Sequence, residues 1–269
     1  MIRIGGRVVN IDNYPDGTLL FKDMDDYKGE RIEWYYESIN ELVPVMYLAR
    51  YFWDRRRIPE LYMPYIPDAR MDRVKSDSEV FTLKYLAQTI NTLHFSKIEV
   101  LDPHSDVSAA LFDNVAVHSP RSYIIESINR INSDNLVLFY PDAGSAKRYS
   151  SLIRMPYSYG VKNRDWCSGK ILNLNVADNG IDLQGKDILI VDDICSKGGT
   201  FYYSAKVLKE LGVNNIYLYV THCENSILNG TFGESGLNLL DTGLIKKVFT
   251  TNSIFTKEHS MIEKFDIRR

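Results

Sequence analysis

Two hydrophobic periods share this chain. Apolar runs or alternations read as strands at Ile2–Ile11, Thr18–Phe21, Arg31–Tyr36, Leu61–Ile66, Lys97–Leu101, Leu136–Tyr140, Asp187–Asp193, Asn215–Thr221 and Lys246–Thr250. The unbroken Ile188, Leu189, Ile190, Val191 is the mark of a strand covered on both faces. A period near 3.6 marks helices between them. Asn40 can cap one that runs to about Arg55, with Pro44 tolerated in its first turn. Ser76 or Ser78 can cap a second, whose Leu83, Leu86, Ala87, Ile90 and Leu93 share a face. A third places Phe201, Ala205, Leu208 and Leu211 at i, i+4, i+7 and i+10. Asn13–Gly17 is turn chemistry and Gly230–Gly236 is loop-like, while Tyr157–Lys170 is polar without periodicity and reads as a solvated, mobile loop.

Strands alternating with helices predict a mostly parallel α/β sheet, whose ligands gather at the C-terminal strand ends. The strand-plus-charged-terminus pattern occurs in both halves, which predicts two tandem domains, 1–121 and 122–269, meeting near Ser119–Ser122. A chain of 269 residues accommodates two ordinary domains, and 45% hydrophobic content indicates packed cores. A net charge of −3 offers no general basic field for nucleic acid. No apolar run approaches membrane-spanning length, and the first residues lack a signal peptide's apolar stretch. Cys167, Cys195 and Cys223 lack metal-type spacing and fit a reducing cytoplasm without a disulfide framework.

The candidate chemistry falls at strand ends. Asp192 and Asp193 close the most apolar strand, and Gly198, Gly199 and Thr200 then open a helix. Free backbone N–H groups and the helix dipole make that turn an anion cradle, while the acids suit ribose hydroxyls or a divalent cation. Together they ask for a sugar phosphate, with Ser196–Thr200 at its phosphate end. Arg70, Asp72 and Arg73 end one earlier strand and His104 with Asp106 ends another. An arginine there can hold nucleotide phosphates, and a histidine can ligate a metal or donate to a phosphoryl oxygen. Asp142, at a third strand end, is a natural ligand for phosphate-bound magnesium. Lys162 and Arg164 in the polar stretch could close positive charge over a reacting phosphoryl group.

Six segments in this order resemble the ribose-phosphate pyrophosphokinases, the synthetases of phosphoribosyl pyrophosphate (PRPP). Tyr14-Pro15-Asp16-Gly17-Thr18 is similar to an aromatic-Pro-Asp-Gly-Glu segment that contacts adenine, usually from a neighbouring subunit. Arg70-Met71-Asp72-Arg73 resembles the ATP-holding Arg-Gln-Asp-Arg, and Asp102-Pro103-His104 the Asp-Leu-His whose histidine lies near metal and triphosphate. Pro141 to Arg148 matches the metal-associated Pro-Asp-Ala-Gly-Gly-Ala-Lys-Arg except for Ser145. Lys162-Asn163-Arg164 matches the catalytic Lys-x-Arg, and Asp192–Thr200 the PRPP loop.

The resemblance implies two tandem type I phosphoribosyltransferase-like domains, an ATP-side domain followed by one carrying the ribose-phosphate loop. It implies an enzyme of the cytoplasm that transfers the pyrophosphoryl group of Mg-ATP to the C1 hydroxyl of ribose 5-phosphate, giving PRPP and AMP for nucleotide biosynthesis. Implied ATP contacts are Tyr14, Asp16, Arg70, Asp72, Arg73 and His104, and implied metal contacts are His104 and Asp142. Lys162, Arg164 and His104 would be catalytic, and Asp192, Asp193, Ser196, Lys197, Gly198, Gly199 and Thr200 would hold the ribose phosphate. Tyr14 and Asp16 serving a neighbour's site implies a homo-oligomer, a dimer or larger.

The departures bear on the acceptor. Ser196 and Lys197 stand where the family has Asp-Thr, making the phosphate end more positive. Met71 replaces glutamine and Thr18 replaces glutamate, and an early Ser-Gly segment before Ile2 and part of a C-terminal helix are missing from the pattern. One alternative therefore keeps the chemistry and takes a 5′-substituted ribose such as ADP-ribose. Others are a phosphoribosyltransferase that consumes PRPP and a non-catalytic, synthetase-like regulator.

Overall fold

The computed structural model describes residues 1–164, 171–177, 179–234 and 236–267, with backbone alone over 162–164 and 171–174. The described chain divides into two compact units, Met1–Ser119 and Pro120–Ile267.

The first unit opens with short strands β1 (Ile2–Ile4), β2 (Arg7–Val8), β3 (Ile11–Asn13) and β4 (Leu19–Phe21). Then come β5 (Arg31–Trp34), α1 (Leu42–Asp54), β6 (Glu60–Tyr62), α2 (Thr82–Asn91), β7 (Ile98–Leu101), α3 (Asp106–Ala110) and β8 (Val115–His118). Six strands form one sheet in the order β2-β1-β5-β6-β7-β8, parallel from β5 onward, while β3 and β4 make a separate two-stranded hairpin. Its core packs Ile4, Ile32, Trp34, Leu61, Ile98 and Val100 against Val45, Leu48 and Phe52 of α1 and Leu83, Leu86 and Ile90 of α2. Each such side chain contributes about 1.5–3 kcal/mol on burial.

Several predicted boundaries in this unit move. Ile2–Ile11 is two hairpin arms and the start of a third strand, because Gly5 and Gly6 take positive φ of 56° and 76° and turn the chain within two residues. Asn40 does not cap the first helix, whose N-cap position is Glu41; the reciprocal capping box, made by Ser38 and Glu41, opens the 3₁₀ turn that leads into it. Ser76 and Ser78 hydrogen-bond each other at 2.8 Å instead of capping α2, which starts at Thr82.

The second unit runs α4 (Arg121–Ile131), β9 (Leu136–Tyr140), α5 (Ala143–Tyr149), β10 (Tyr157–Arg164), β11 (Ile171–Val176), β12 (Asp187–Cys195), α6 (Gly199–Glu210), β13 (Ile216–Cys223), β14 (Lys247–Thr251) and β15 (Ile262–Phe265). Its sheet has the order β11-β10-β9-β12-β13-β14-β15 and is parallel except for the β10–β11 pair. One face of this sheet carries Ile188, Ile190, Leu218 and Val220 against Phe201, Ala205 and Leu208 of α6. The other carries Leu189, Val191, Tyr219 and Phe249 with Ile124 of α4 and Tyr149 of α5. Cover on both faces is why β9 and the Ile188–Val191 run of β12 are unbroken apolar sequence. Leu211 departs from the predicted helix face: it lies just past α6 and is 45% exposed.

The predicted loop over Tyr157–Lys170 is a strand as far as Arg164. Tyr157–Tyr159 pair with β9, and from Gly160 to Arg164 the partner is β11, forming a β-arm. Backbone pairing to β11 extends the strand beyond Tyr159. The remainder of the expected mobile loop, 165–170, lies outside the described residues. Among the described residues no helix is long and apolar enough to cross a membrane.

Candidate active site

In the first unit, adjacent parallel strands β6 and β7 bring two sequence-selected clusters to neighbouring strand ends. After β6 the chain turns through Pro67–Arg70, with Asp68 at φ 58° and Met71 N–H donating to the Asp68 carbonyl at 2.8 Å. Arg70 and Arg73 are exposed there and Asp72 is half-buried. After β7, Asp102 takes φ 43° and is buried, His104 is half-buried, and Ser105 caps α3 by accepting the Ser108 N–H at 3.2 Å. The Ser108 hydroxyl donates to the Ala69 carbonyl at 3.4 Å, which ties the arginine loop to the histidine loop.

Tyr14 and Asp16 occupy the tip of the β3–β4 hairpin, outside the six-stranded sheet. Tyr14 is 52% exposed, and its N–H donates to the Thr18 carbonyl at 2.9 Å. Asp16 Oδ1 accepts the Thr18 N–H at 2.9 Å, and this hydrogen bond holds its carboxyl below the usual range. Asp16 thus builds the turn that presents the Tyr14 ring.

In the second unit, strand order assembles the acids. Asp142 follows β9 and caps α5, its Oδ1 accepting N–H groups from Gly144 and Ser145 at 3.1 Å each. Ser145 closes the reciprocal capping box through its hydroxyl, with the Asp142 N–H donating to it at 3.3 Å. The substitution of Ser145 for glycine therefore reinforces the cap. Asp192 and Asp193 do not end their strand, since β12 continues to Cys195. As consecutive strand residues, their side chains leave on opposite faces of the sheet. Asp192 Oδ1 accepts the Asp193 N–H at 3.1 Å. Burial, joined by the charges of Asp193 and Asp142, holds the Asp192 carboxyl well above the usual carboxylate range.

Asp193 is buried and faces Arg148, whose Nη1 lies 3.5 Å from its Oδ1. Arg148 ends the Pro141–Arg148 segment, yet no local pattern marks it as the partner of an acid on a distant strand. An arginine following a strand-end Asp on a short helix was the available signal.

Beyond β12, Ser196 is half-buried and Lys197 exposed. Gly198 takes φ 95°, a conformation side chains resist, and its carbonyl accepts the Tyr202 N–H at 2.9 Å as α6 begins. Because α6 begins at Gly199, the N–H groups of its first turn lack partners within the helix. Lys162 and Arg164 lie on β10 in register with Leu174 and Ile171 of β11, with a register shift between Asn163 and Arg164.

Among the described residues, no three His, Cys, Asp or Glu side chains converge as a metal-binding group. Magnesium commonly takes only one or two carboxylates, with phosphate oxygens and waters completing its shell. Asp142 and Asp192, whose charges oppose each other, can supply the one or two carboxylates such a cation takes.

Known proteins agree with this architecture. Residues 124–227 match the phosphoribosyl transferase domain family. The ribose-phosphate pyrophosphokinase of Thermococcus kodakarensis is 27% identical over 255 residues, covering 92% of this chain and 86% of the relative. That of Saccharolobus solfataricus is 29% identical over 204 residues, covering 74% and 67%. Among solved structures, the phosphoribosylpyrophosphate synthetase from Mycobacterium smegmatis has the same fold, with a TM-score of 0.71 at 18% identity over 97% of this chain and 86% of that one. Over most of its length, then, the chain is similar to ribose-phosphate pyrophosphokinases, and the match to the phosphoribosyl transferase domain falls in its second unit.

Proposed function

We propose that this protein transfers the pyrophosphoryl group of Mg-ATP to the C1 hydroxyl of ribose 5-phosphate, forming PRPP and AMP. The observation that carries this reading is the acid set Asp142, Asp192 and Asp193, with Arg148, in the same unit as the Gly198–Thr200 turn, in a chain similar to ribose-phosphate pyrophosphokinases. Phosphoryl-type transfer needs alignment and charge neutralisation more than covalent catalysis.

In this proposal Arg70, Asp72 and Arg73 bind ATP, and Tyr14 with Asp16 closes on adenine from a neighbouring copy, so the active form is at least a dimer. His104 and Asp142 hold Mg²⁺, which when bound neutralises phosphate charge. Asp192 and Asp193 orient the ribose hydroxyls, while Ser196, Lys197, Gly198, Gly199 and Thr200 receive the 5′-phosphate. Lys162 and Arg164 exclude water and stabilise charge at the transferring phosphorus. The buried, unlinked thiols Cys195 and Cys223 suit the cytoplasm. The test is incubation with Mg-ATP and ribose 5-phosphate, with products resolved by mass. Acceptor-dependent AMP together with PRPP is expected, and ATP left intact would overturn the proposal.

A second reading keeps the chemistry but takes a ribose with a larger 5′ substituent, such as ADP-ribose. Lys197 adds an exposed cation at the phosphate end, and the Tyr202 and Phe232 rings stack beside it with centroids 5.0 Å apart at 16°. ADP-ribose supplied in the same assay decides: its pyrophosphorylated product, in preference to PRPP, would select this acceptor.

A further inference from the structure

The turn at Lys197–Gly199 is packed closely by another part of the chain. The chain between β13 and β14 returns beneath it and meets it at successive positions. A Cβ built on Gly230 would lie 2.3 Å from the Lys197 carbonyl oxygen, a backbone atom that cannot rotate away. A Cβ on Gly198 would lie 2.9 Å from Leu239 Cδ2, and one on Gly199 would lie 3.5 Å from the Phe232 ring. The same Phe232 ring stacks on Tyr202, one turn into α6. Three residues of the return segment therefore press on three consecutive residues of the turn.

We infer that Gly230 is a positioning residue for the ribose-phosphate turn, with Phe232 as its neighbouring support. This rests on the proposed reading of the turn as the acceptor's phosphate site. The absence of a side chain at Gly230 lets the Lys197 carbonyl settle against the return segment. The peptide following that carbonyl carries the Gly198 N–H, so the carbonyl's seat fixes the direction in which the turn presents its donors. Alanine at 230 drives the two backbones apart by about 1 Å, enough to move the turn's N–H donors off the narrow range of hydrogen-bond distance to a bound phosphate.

The experiment compares the full-length protein with Gly230→Ala and with Phe232→Leu, which removes the ring while keeping an apolar filler. KM for ribose 5-phosphate should rise at least about tenfold in Gly230→Ala and less in Phe232→Leu, with KM for ATP and kcat changed by less than about threefold. A merely structural role would lower the melting temperature and active fraction without separating the two KM values. Binding of inorganic phosphate, followed by calorimetry without ATP, needs only the turn and should weaken in parallel. Weaker phosphate binding in the variants supports the inference even if ribose 5-phosphate proves not to be the acceptor. Phosphate affinity equal in all three proteins, or no phosphate binding by the unaltered one, overturns it. Should Gly230→Ala fail to fold, unchanged phosphate affinity in Phe232→Leu also overturns it.

Discussion

Arg148→Met tests whether the acid set is an electrostatic unit. Arg148 Nη1 is 3.5 Å from Asp193 Oδ1, with side-chain exposures of 30% and 6% respectively. At an effective dielectric of about 20, a unit pair at that distance is worth about 5 kcal/mol. The partial exposure of Arg148 screens the pair, which brings the expected loss of stability to about 1–3 kcal/mol. Methionine keeps an apolar chain beside the Tyr149 ring, whose centroid is 5.6 Å from the guanidinium carbon.

The loss should depend on pH in a definite direction. Asp192 is raised in the folded protein by burial and by its acidic neighbours, so the folded state holds that proton more tightly than the unfolded state. Ionising the set therefore costs stability as pH rises above the unfolded carboxylate value of about 4 and through the raised one. Removing Arg148 enlarges this cost, so the deficit should be greatest near pH 8 and shrink toward pH 5. Mg²⁺ without ATP should restore more stability to the variant than it adds to the original protein. Urea titrations at the two pH values, with and without Mg²⁺ and at unchanged m, provide the measurement. A deficit equal at both pH values and indifferent to Mg²⁺ would refute the reasoning.

Three further outcomes are expected. Lys162→Ala and Arg164→Ala should each lower kcat by about 10²–10³-fold while leaving ATP affinity and melting temperature nearly unchanged; turnover near normal in either removes that residue from the mechanism. Tyr140→Phe should be neutral or stabilise by up to about 3 kcal/mol, because the hydroxyl is buried without a hydrogen-bond partner among the described residues while its ring packs on Tyr149 and Tyr157. Chemical denaturation checks this, and clear destabilisation would reveal a partner for the hydroxyl. Ser38→Ala should cost about 1 kcal/mol through loss of the capping box ahead of α1, read as a lower urea midpoint with turnover per folded molecule unchanged.

The parts of the fold legible in sequence are those where burial dictates composition. Strand β9 and the Ile188–Val191 run of β12 are covered on both faces, so no polar position interrupts them and the first charges after each run stand out. That located Asp142 and Asp192 without any knowledge of their surroundings. The β-arm was illegible for the opposite reason: beyond Tyr159, β10 is held by backbone pairing to β11, which leaves no mark in side-chain type. Capping was half legible, since Ser38, Asn40, Ser76 and Ser78 are all competent residue types. Ser38 and Ser76 each have a glutamate three residues on, Glu41 and Glu79, but Glu79 accepts the Lys75 N–H at 2.7 Å, and only Ser38 and Glu41 close the reciprocal bond.

The candidate site shows the same division in sharper form. Periodicity says which residues terminate strands, but which ends become neighbours is fixed by strand order. Here β12 lies between β9 and β13, so the acid after β9 comes to influence an acid on β12, and the helix that Asp142 caps carries Arg148 to Asp193. No local pattern encodes that order, because exchanging two equally apolar central strands would leave every periodicity intact. The charge balance of the acid set is thus a consequence of topology acting on residues that sequence can only nominate. A variant that alters Arg148 probes that topology as directly as one that alters an acid.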